Sequence, residues 1–304
     1  MHVERFAPSP TGPLHLGHAY SALCAWQAAR AAGGQFLVRL EDLDQSRVRP
    51  EWEAAIAEDL LWLGLDWDGS MLRQSTREKA YHAALQHLSG QGLTYGCVCT
   101  RRDIQQAISA PQDGVPIGPD GPVYPGTCRE RGLVPGRTAN QGSIHGMAFQ
   151  GMAVRLNMAQ AIKTLGGAPA VAKLGFEELE QGPAGQSGLI RLNTDMLVHQ
   201  IGDIVLSRRD GAVAYHLAVV VDDAFQGVTR VTRGRDLFDA TPIHRILQAL
   251  LDLPVPIYRH HALVRDDQGK RLAKRDDARA IARYRADGLS PAEVMDLAEA
   301  GIAT

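Results

Sequence analysis

Apolar and polar residues alternate over residues 2–7 and the alternation stops at Pro8, the pattern of a short strand running into a loop. A helical pattern follows. Thr11 can cap it, and Pro13 suits its first turn, where the missing N–H needs no partner. Leu16, Leu23, Trp26 and the alanines of residues 29–32 give this helix an apolar face, which ends at Gly33-Gly34. Residues 36–40 (Phe-Leu-Val-Arg-Leu) form a second strand that opens into the acidic run Glu41-Asp42-Leu43-Asp44. A strand, a helix and a strand at this spacing predict parallel pairing. Parallel sheets bind ligands at the carboxyl ends of their strands, where residues 5–9 and 41–44 fall.

Two further helices are expected over residues 50–63 and 76–88, the second opened by a capping box, Ser75-Thr76-Arg77-Glu78. They close on Gly64 and Gly90. Residues 109–146 and 165–188 are rich in Gly and Pro and read as loops of an inserted module. A hairpin of residues 204–207 against 213–216 is expected about Asp210-Gly211. Residues 217–223 (Leu-Ala-Val-Val-Val-Asp-Asp) fit a buried strand or the start of a helix, because periodicity does not separate the two. Ser290-Pro291-Ala292-Glu293 starts a last helix that runs to Gly301.

The composition, 45% hydrophobic and 22% charged over 304 residues, excludes a disordered or fibrous chain and suffices for a sizeable core. A formal charge of −2 gives no overall attraction to nucleic acid. RNA contact therefore has to come from local clusters: Arg101-Arg102, Arg129 with Arg131, Arg208-Arg209, and residues 270–275. The N-terminus has no secretory pattern, and no apolar run reaches the roughly 18 residues of a membrane span. Of four cysteines, Cys97, Cys99 and Cys128 cluster, which suits a metal site in a reducing, cytoplasmic setting better than a disulfide framework. A buried reduced trio is the alternative. Cys24, on the apolar first helix, is expected in the core.

The segment Arg5-Phe-Ala-Pro-Ser-Pro-Thr-Gly-Pro-Leu-His15-Leu-Gly17-His18 couples a strand end to a helix N-terminus, a place that favours an anion such as a phosphate. His15 and His18 share one helical face, and Gly17 removes a side chain where a flat ligand could approach. Late in the chain, Lys270-Arg-Leu-Ala-Lys274-Arg holds two of only five lysines.

Residues 5–12, His15-Leu-Gly-His18 and Arg39-Leu-Glu-Asp-Leu-Asp44 make the sequence resemble the class I aminoacyl-tRNA synthetases, specifically their glutamate branch. The resemblance implies an α/β fold: a Rossmann-type parallel-sheet catalytic domain, an inserted zinc-bearing α/β module and a short helical tail. It divides the chain at residues 1–95 and 196–258 (the two catalytic halves), 96–195 (the insertion) and 259–304 (lysine loop and tail). His15, Gly17, His18 and Lys274 would bind ATP, with His15, His18 and Lys274 stabilising charge on the reacting phosphate. Arg5, Ser9, Glu41, Tyr215 and Arg233 would form the L-glutamate pocket, Arg233 meeting the side-chain carboxylate and disfavouring glutamine. The lysine loop departs from the family at Arg271 and Ala273. The resemblance also supplies Tyr124 as fourth ligand to one structural zinc beside Cys97, Cys99 and Cys128. Magnesium is expected with ATP on chemical grounds.

A full enzyme of this branch continues into a helical region that reads the anticodon, whereas this sequence stops at Thr304. The expectation is therefore activation of glutamate to glutamyl-adenylate and its transfer to the queuosine base at the wobble position of tRNA(Asp). The insertion and basic clusters would then hold an anticodon stem-loop. Two rivals remain: a compact synthetase esterifying a tRNA 3′ end, and a non-catalytic zinc-bearing RNA-binding relative, in which the ATP motifs should have decayed.

Overall fold

The computed structural model describes residues 1–108, 116–133, 151–265 and 279–302. Val3–Phe6 pairs in parallel with Gln35–Leu40, which pairs in parallel with Leu72–Arg73. Arg230–Gly234, Ile257–His261 and Gly175–Glu178 make a second parallel group, extended antiparallel by Gly188–Arg191. The two groups meet where the Thr229 N–H donates to the Val3 carbonyl at 3.0 Å. A separate antiparallel sheet is built from Thr94–Cys97, Ala153–Leu156 and Val205–Ser207.

Helix Leu16–Ala31 joins the first two strands and packs on them and on Pro291–Ala300. Its buried side is mostly alanine (Ala19, Ala22, Ala25, Ala29), which lets it lie close to the sheet, and Cys24 sits in that core as expected. Burying each larger side chain such as Phe36 or Leu40 contributes about 2 kcal/mol, so the parallel unit is held chiefly by this interface. A second core gathers Tyr81, Leu85, Leu217, Ile246 and Leu247 between helices Glu78–Gly90, Tyr215–Phe225 and Thr241–Leu250.

Helix Pro50–Trp62 and the capping box of Ser290 with Glu293 match the sequence reading. Three local expectations are corrected, and the alternative left open at residues 217–223 is decided. The first helix starts at Leu16 with His15 as its N-cap, not at Thr11, because the prolines at 8, 10 and 13 keep the preceding segment extended. Ser75 forms no cap: its hydroxyl donates to Asp42 at 2.5 Å, and residues Gln74–Arg77 make a 3-10 turn before helix Glu78–Gly90. The segment 217–223 is helix, within Tyr215–Phe225. The hairpin about Gly211 is reduced to a bridge between Ser207 and Val213, since Tyr215 already begins that helix.

Candidate active site

A cleft of about 500 Å³ opens at the carboxyl ends of the parallel strands, between Phe6, Glu41, Gly234 and His261. Arg5, Ser9, His15, Gly17, His18, Glu41, Tyr215 and Arg233 all line it, although they span most of the sequence. Lys274 lies outside the described residues.

His15 and His18 cap the first helix reciprocally. His15 Nδ1 accepts from the Gly17 N–H at 3.1 Å, and His18 Nδ1 accepts from the His15 N–H at 3.2 Å. Both rings therefore keep their proton on Nε2, leaving N–H donors suited to a phosphate at a helix N-terminus. A Cβ on Gly17 would sit 3.1 Å from His15 Cε1, so the glycine makes room for the histidine ring itself.

Deeper in the cleft, Asp223 Oδ1 accepts from Arg5 Nε at 3.1 Å and from Arg39 at 2.7 Å, while Arg39 reaches Glu41 at 3.3 Å. Two guanidiniums face two carboxylates, so this group is neutral as a set. Burial raises the Asp223 carboxyl, but Arg5 and Arg39 outweigh it and hold it below the usual range. At Glu41 burial wins over the same arginines and pushes the carboxyl up, the signature of an anion short of partners.

Arg233 is different. It is 5% exposed, and its guanidinium donates to His260 Nε2 at 3.0 Å, His244 Nδ1 at 3.2 Å, Thr241 at 2.9 Å, the Leu237 carbonyl at 3.2 Å and the Tyr215 hydroxyl at 3.5 Å. Each of these partners is neutral. Burial and Arg233 itself drive His244 well below the ordinary histidine range, and burial takes His260 to about 4. Among the described residues no carboxylate bonds Arg233 directly; Glu178 stands one ring away, 2.5 Å from His260 Nδ1, so the buried cation lacks a contacting anion, which is costly unless a ligand brings one. The longest contact, to Tyr215, is the one most readily exchanged for a carboxylate.

At the end of the separate sheet, Cys97, Cys99 and Cys128 place their sulfurs within 4.8 Å of one another, a cluster that could hold a metal ion. Tyr124 Oη lies 3.4 Å from Cys97 Sγ and from Cys99 Sγ, and Cys99 and Cys128 are 3.5 Å apart. A tetrahedron with Zn–S bonds of ~2.3 Å has edges of ~3.8 Å, so the donors fit zinc after a small expansion. Burial raises the Cys128 thiol, yet hydrogen bonds from Tyr124 and the Val98 backbone bring it to about 7, where thiolate is accessible.

Comparison with known proteins settles the lineage. The family model "tRNA synthetases class I (E and Q), catalytic domain" matches residues 2–114 and 172–300. The chain belongs to that family. A glutamyl-Q tRNA(Asp) synthetase of Rhodobacter capsulatus is 53% identical over 97% of this chain and 99% of its own length. Another, from Nocardia farcinica, is 44% identical over 96% of this chain and 82% of its own. Among solved structures, a glutamate tRNA ligase from Elizabethkingia meningosepticum, in complex with its amino acid, superposes with a TM-score of 0.66 at 24% identity. It covers 91% of this chain, which spans about half (52%) of that ligase, so the likeness carries the fold. Among the described residues no helix is long and apolar enough to cross a membrane.

Sequence reading of this class I synthetase missed the groups that surround its pocket. Asp223, Thr241, His244 and His260 stand 8 to 27 residues from the nearer of Arg233 and Tyr215 in the chain and carry no local motif. Arg39 lies inside the Arg39-Leu-Glu-Asp segment, and its place next to the apolar run Phe36-Leu37-Val38 of its strand was the available signal. Thr232 Oγ1 and His261 Nε2 are buried at the cleft without a hydrogen-bond partner among the described residues.

Proposed function

We propose that this class I synthetase activates L-glutamate with ATP and transfers it to the queuosine base of tRNA(Asp). The observation that carries the amino-acid assignment is Arg233, a buried cation in the cleft whose partners are all neutral. Glutamate carries one net negative charge and supplies the missing anion. Glutamine would leave the guanidinium unpaired, so the site selects against it.

In this reading Arg233 and Tyr215 hold the side-chain carboxylate, Arg5 and Ser9 orient the backbone end, and Glu41 takes the ammonium. Gly17 gives His15 its place, and His15 and His18 donate Nε2–H to the phosphates, joined by Lys274. An oxygen of the α-carboxylate attacks the α-phosphorus, the new P–O bond forms as the bond to pyrophosphate breaks, and glutamyl-adenylate remains. The protein contributes position and positive charge where charge develops. Magnesium accompanies the ATP. Zinc at Cys97, Cys99, Tyr124 and Cys128 would hold the inserted module in shape for RNA, a structural role. Strands Gly175–Glu178 and Gly188–Arg191, which fall within the expected 96–195 bounds, belong instead to the sheet of Ile257–His261. That module and the basic clusters would receive an anticodon stem-loop in the cytoplasm.

The acceptor assignment is supported by the R. capsulatus relative, named a glutamyl-Q tRNA(Asp) synthetase and matched over nearly its whole length. It is tested with labelled glutamate, ATP and tRNA from cells with and without queuosine, followed by removal of the 3′ adenosine. Label that needs queuosine and survives trimming is expected. Label that ignores queuosine and leaves with the adenosine would make this a compact glutamyl-tRNA synthetase, and no label on either RNA would return the non-catalytic reading.

A further inference from the structure

A line of hydrogen bonds leaves the cleft behind Arg233 and ends on a different part of the chain. Arg233 donates to His244 Nδ1 at 3.2 Å, His244 Nε2 contacts His216 Nδ1 at 3.0 Å, and His216 Nε2 lies 3.0 Å from both carboxylate oxygens of Asp120. The proton positions follow from one fact: a guanidinium only donates. His244 Nδ1 must accept, so its proton is on Nε2 and points to His216. His216 Nδ1 must then accept in turn, and its Nε2–H donates to Asp120. One tautomer satisfies every member.

Both rings are buried, His216 at 5% and His244 at 2% exposure, whereas the Asp120 side chain is 59% exposed. Asp120 sits in the turn between Ile117–Gly118 and Gly121–Pro122, two residues before the strand runs on toward Tyr124 of the sulfur cluster. The hairpin is tightly seated, since a Cβ on Gly118 would lie 2.5 Å from the Gln200 carbonyl oxygen.

We propose that His244 and His216 are positioning residues for glutamate recognition, and that Asp120 ties the orientation of Arg233 to the seating of the Ile117–Pro122 hairpin. The inference rests on Arg233 meeting the glutamate carboxylate. The relay supplies Arg233 with an acceptor that has no charge, so the guanidinium is held in place without being neutralised. An aspartate at position 244 would also hold it, but would take the anion's place.

The test is glutamate-dependent ATP–pyrophosphate exchange, with KM for glutamate and for ATP measured separately. Asp120→Ala, at the exposed end, should raise KM for glutamate about threefold, and His244→Phe about tenfold or more, each with KM for ATP within about twofold. Asp120→Asn keeps an acceptor oxygen and should recover at least half of the Asp120→Ala loss. His244→Asn keeps an acceptor near the Nδ1 position and should fall between wild type and His244→Phe, which also covers the case in which the phenylalanine variant does not fold. Equal KM shifts for both substrates, or an unchanged glutamate KM in Asp120→Ala, would overturn the relay. Absence of exchange in the wild-type protein would instead sink the glutamate reading beneath it.

Discussion

Replacing Arg233 with glutamine tests the charge argument most directly. Glutamine fills part of the same volume and keeps two N–H donors, but it removes the cation. The lost partner is a desolvated charge against a substrate carboxylate, and truncating such a pair costs about 2–5 kcal/mol. At about 1.4 kcal/mol per decade, kcat/KM for glutamate should fall roughly 30- to 3,000-fold. The fold should survive better than that figure suggests, because the variant also removes a buried charge while leaving neutral acceptors, His260 Nε2 and His244 Nδ1, to be served by the new amide. Preference for glutamate over glutamine should shrink by a similar factor, since glutamine no longer strands a guanidinium. Pyrophosphate exchange with each amino acid gives both ratios. If Arg233→Gln keeps the wild-type preference, the anion is met elsewhere in the cleft and the assignment is wrong.

Other expected outcomes are as specific. Gly17→Ala puts a methyl 3.1 Å from the His15 ring, so KM for ATP should rise several-fold while KM for glutamate holds; the reverse pattern in exchange kinetics would refute the capping account. Asp223→Asn leaves Arg5 and Arg39 facing Glu41 alone and should cost about 3–5 kcal/mol in urea unfolding at neutral pH. The Asp223 pKa is depressed in the folded state, so its stabilisation is present above the unfolded carboxyl range and is lost as pH falls through the folded value. The variant should therefore show a shallower acid limb than wild type. Metal analysis should find about one zinc per chain, falling with Cys128→Ser; a stable, metal-free wild type would dismiss the site. Lys274→Ala should cut exchange strongly with an unchanged melting temperature, and full exchange would remove that lysine from the machinery.

Local elements were legible wherever short-range signals govern them. The first strand pair, helix Pro50–Trp62 and the Ser290 cap follow from alternation, proline position and a capping box. The misread starts at Thr11 and Ser75 have different causes: the prolines around Thr11 hold its segment extended up to His15, whereas a distant partner, Asp42, claims the Ser75 hydroxyl that sequence offered as a cap. Residues 217–223 became helix through packing on Tyr81, Leu85 and Ile246, contacts invisible to any window along the chain. The same holds at the site. Residues adjoining a motif were found, whereas Asp223, His244 and His260 were not, because their roles exist only through the partners that folding brings to them.

Those overlooked histidines bear on how a cation can be both buried and available. Had carboxylates surrounded Arg233, the pocket would be stable and closed to an anionic substrate. Bare apolar walls would leave the guanidinium unsatisfied at a cost of several kcal/mol. Neutral imidazoles lie between these extremes: they accept hydrogen bonds but add no charge. The arrangement works only while the rings stay unprotonated, since a proton on His260 Nε2 would set two donors against each other. Burial keeps that from happening above about pH 4 at His260, and drives His244 in the same direction. Glutamate recognition should thus keep its Arg233 component through the mildly acidic range, and an acid limb met earlier in a KM profile would belong to Glu41, whose raised carboxyl must ionise to receive the ammonium.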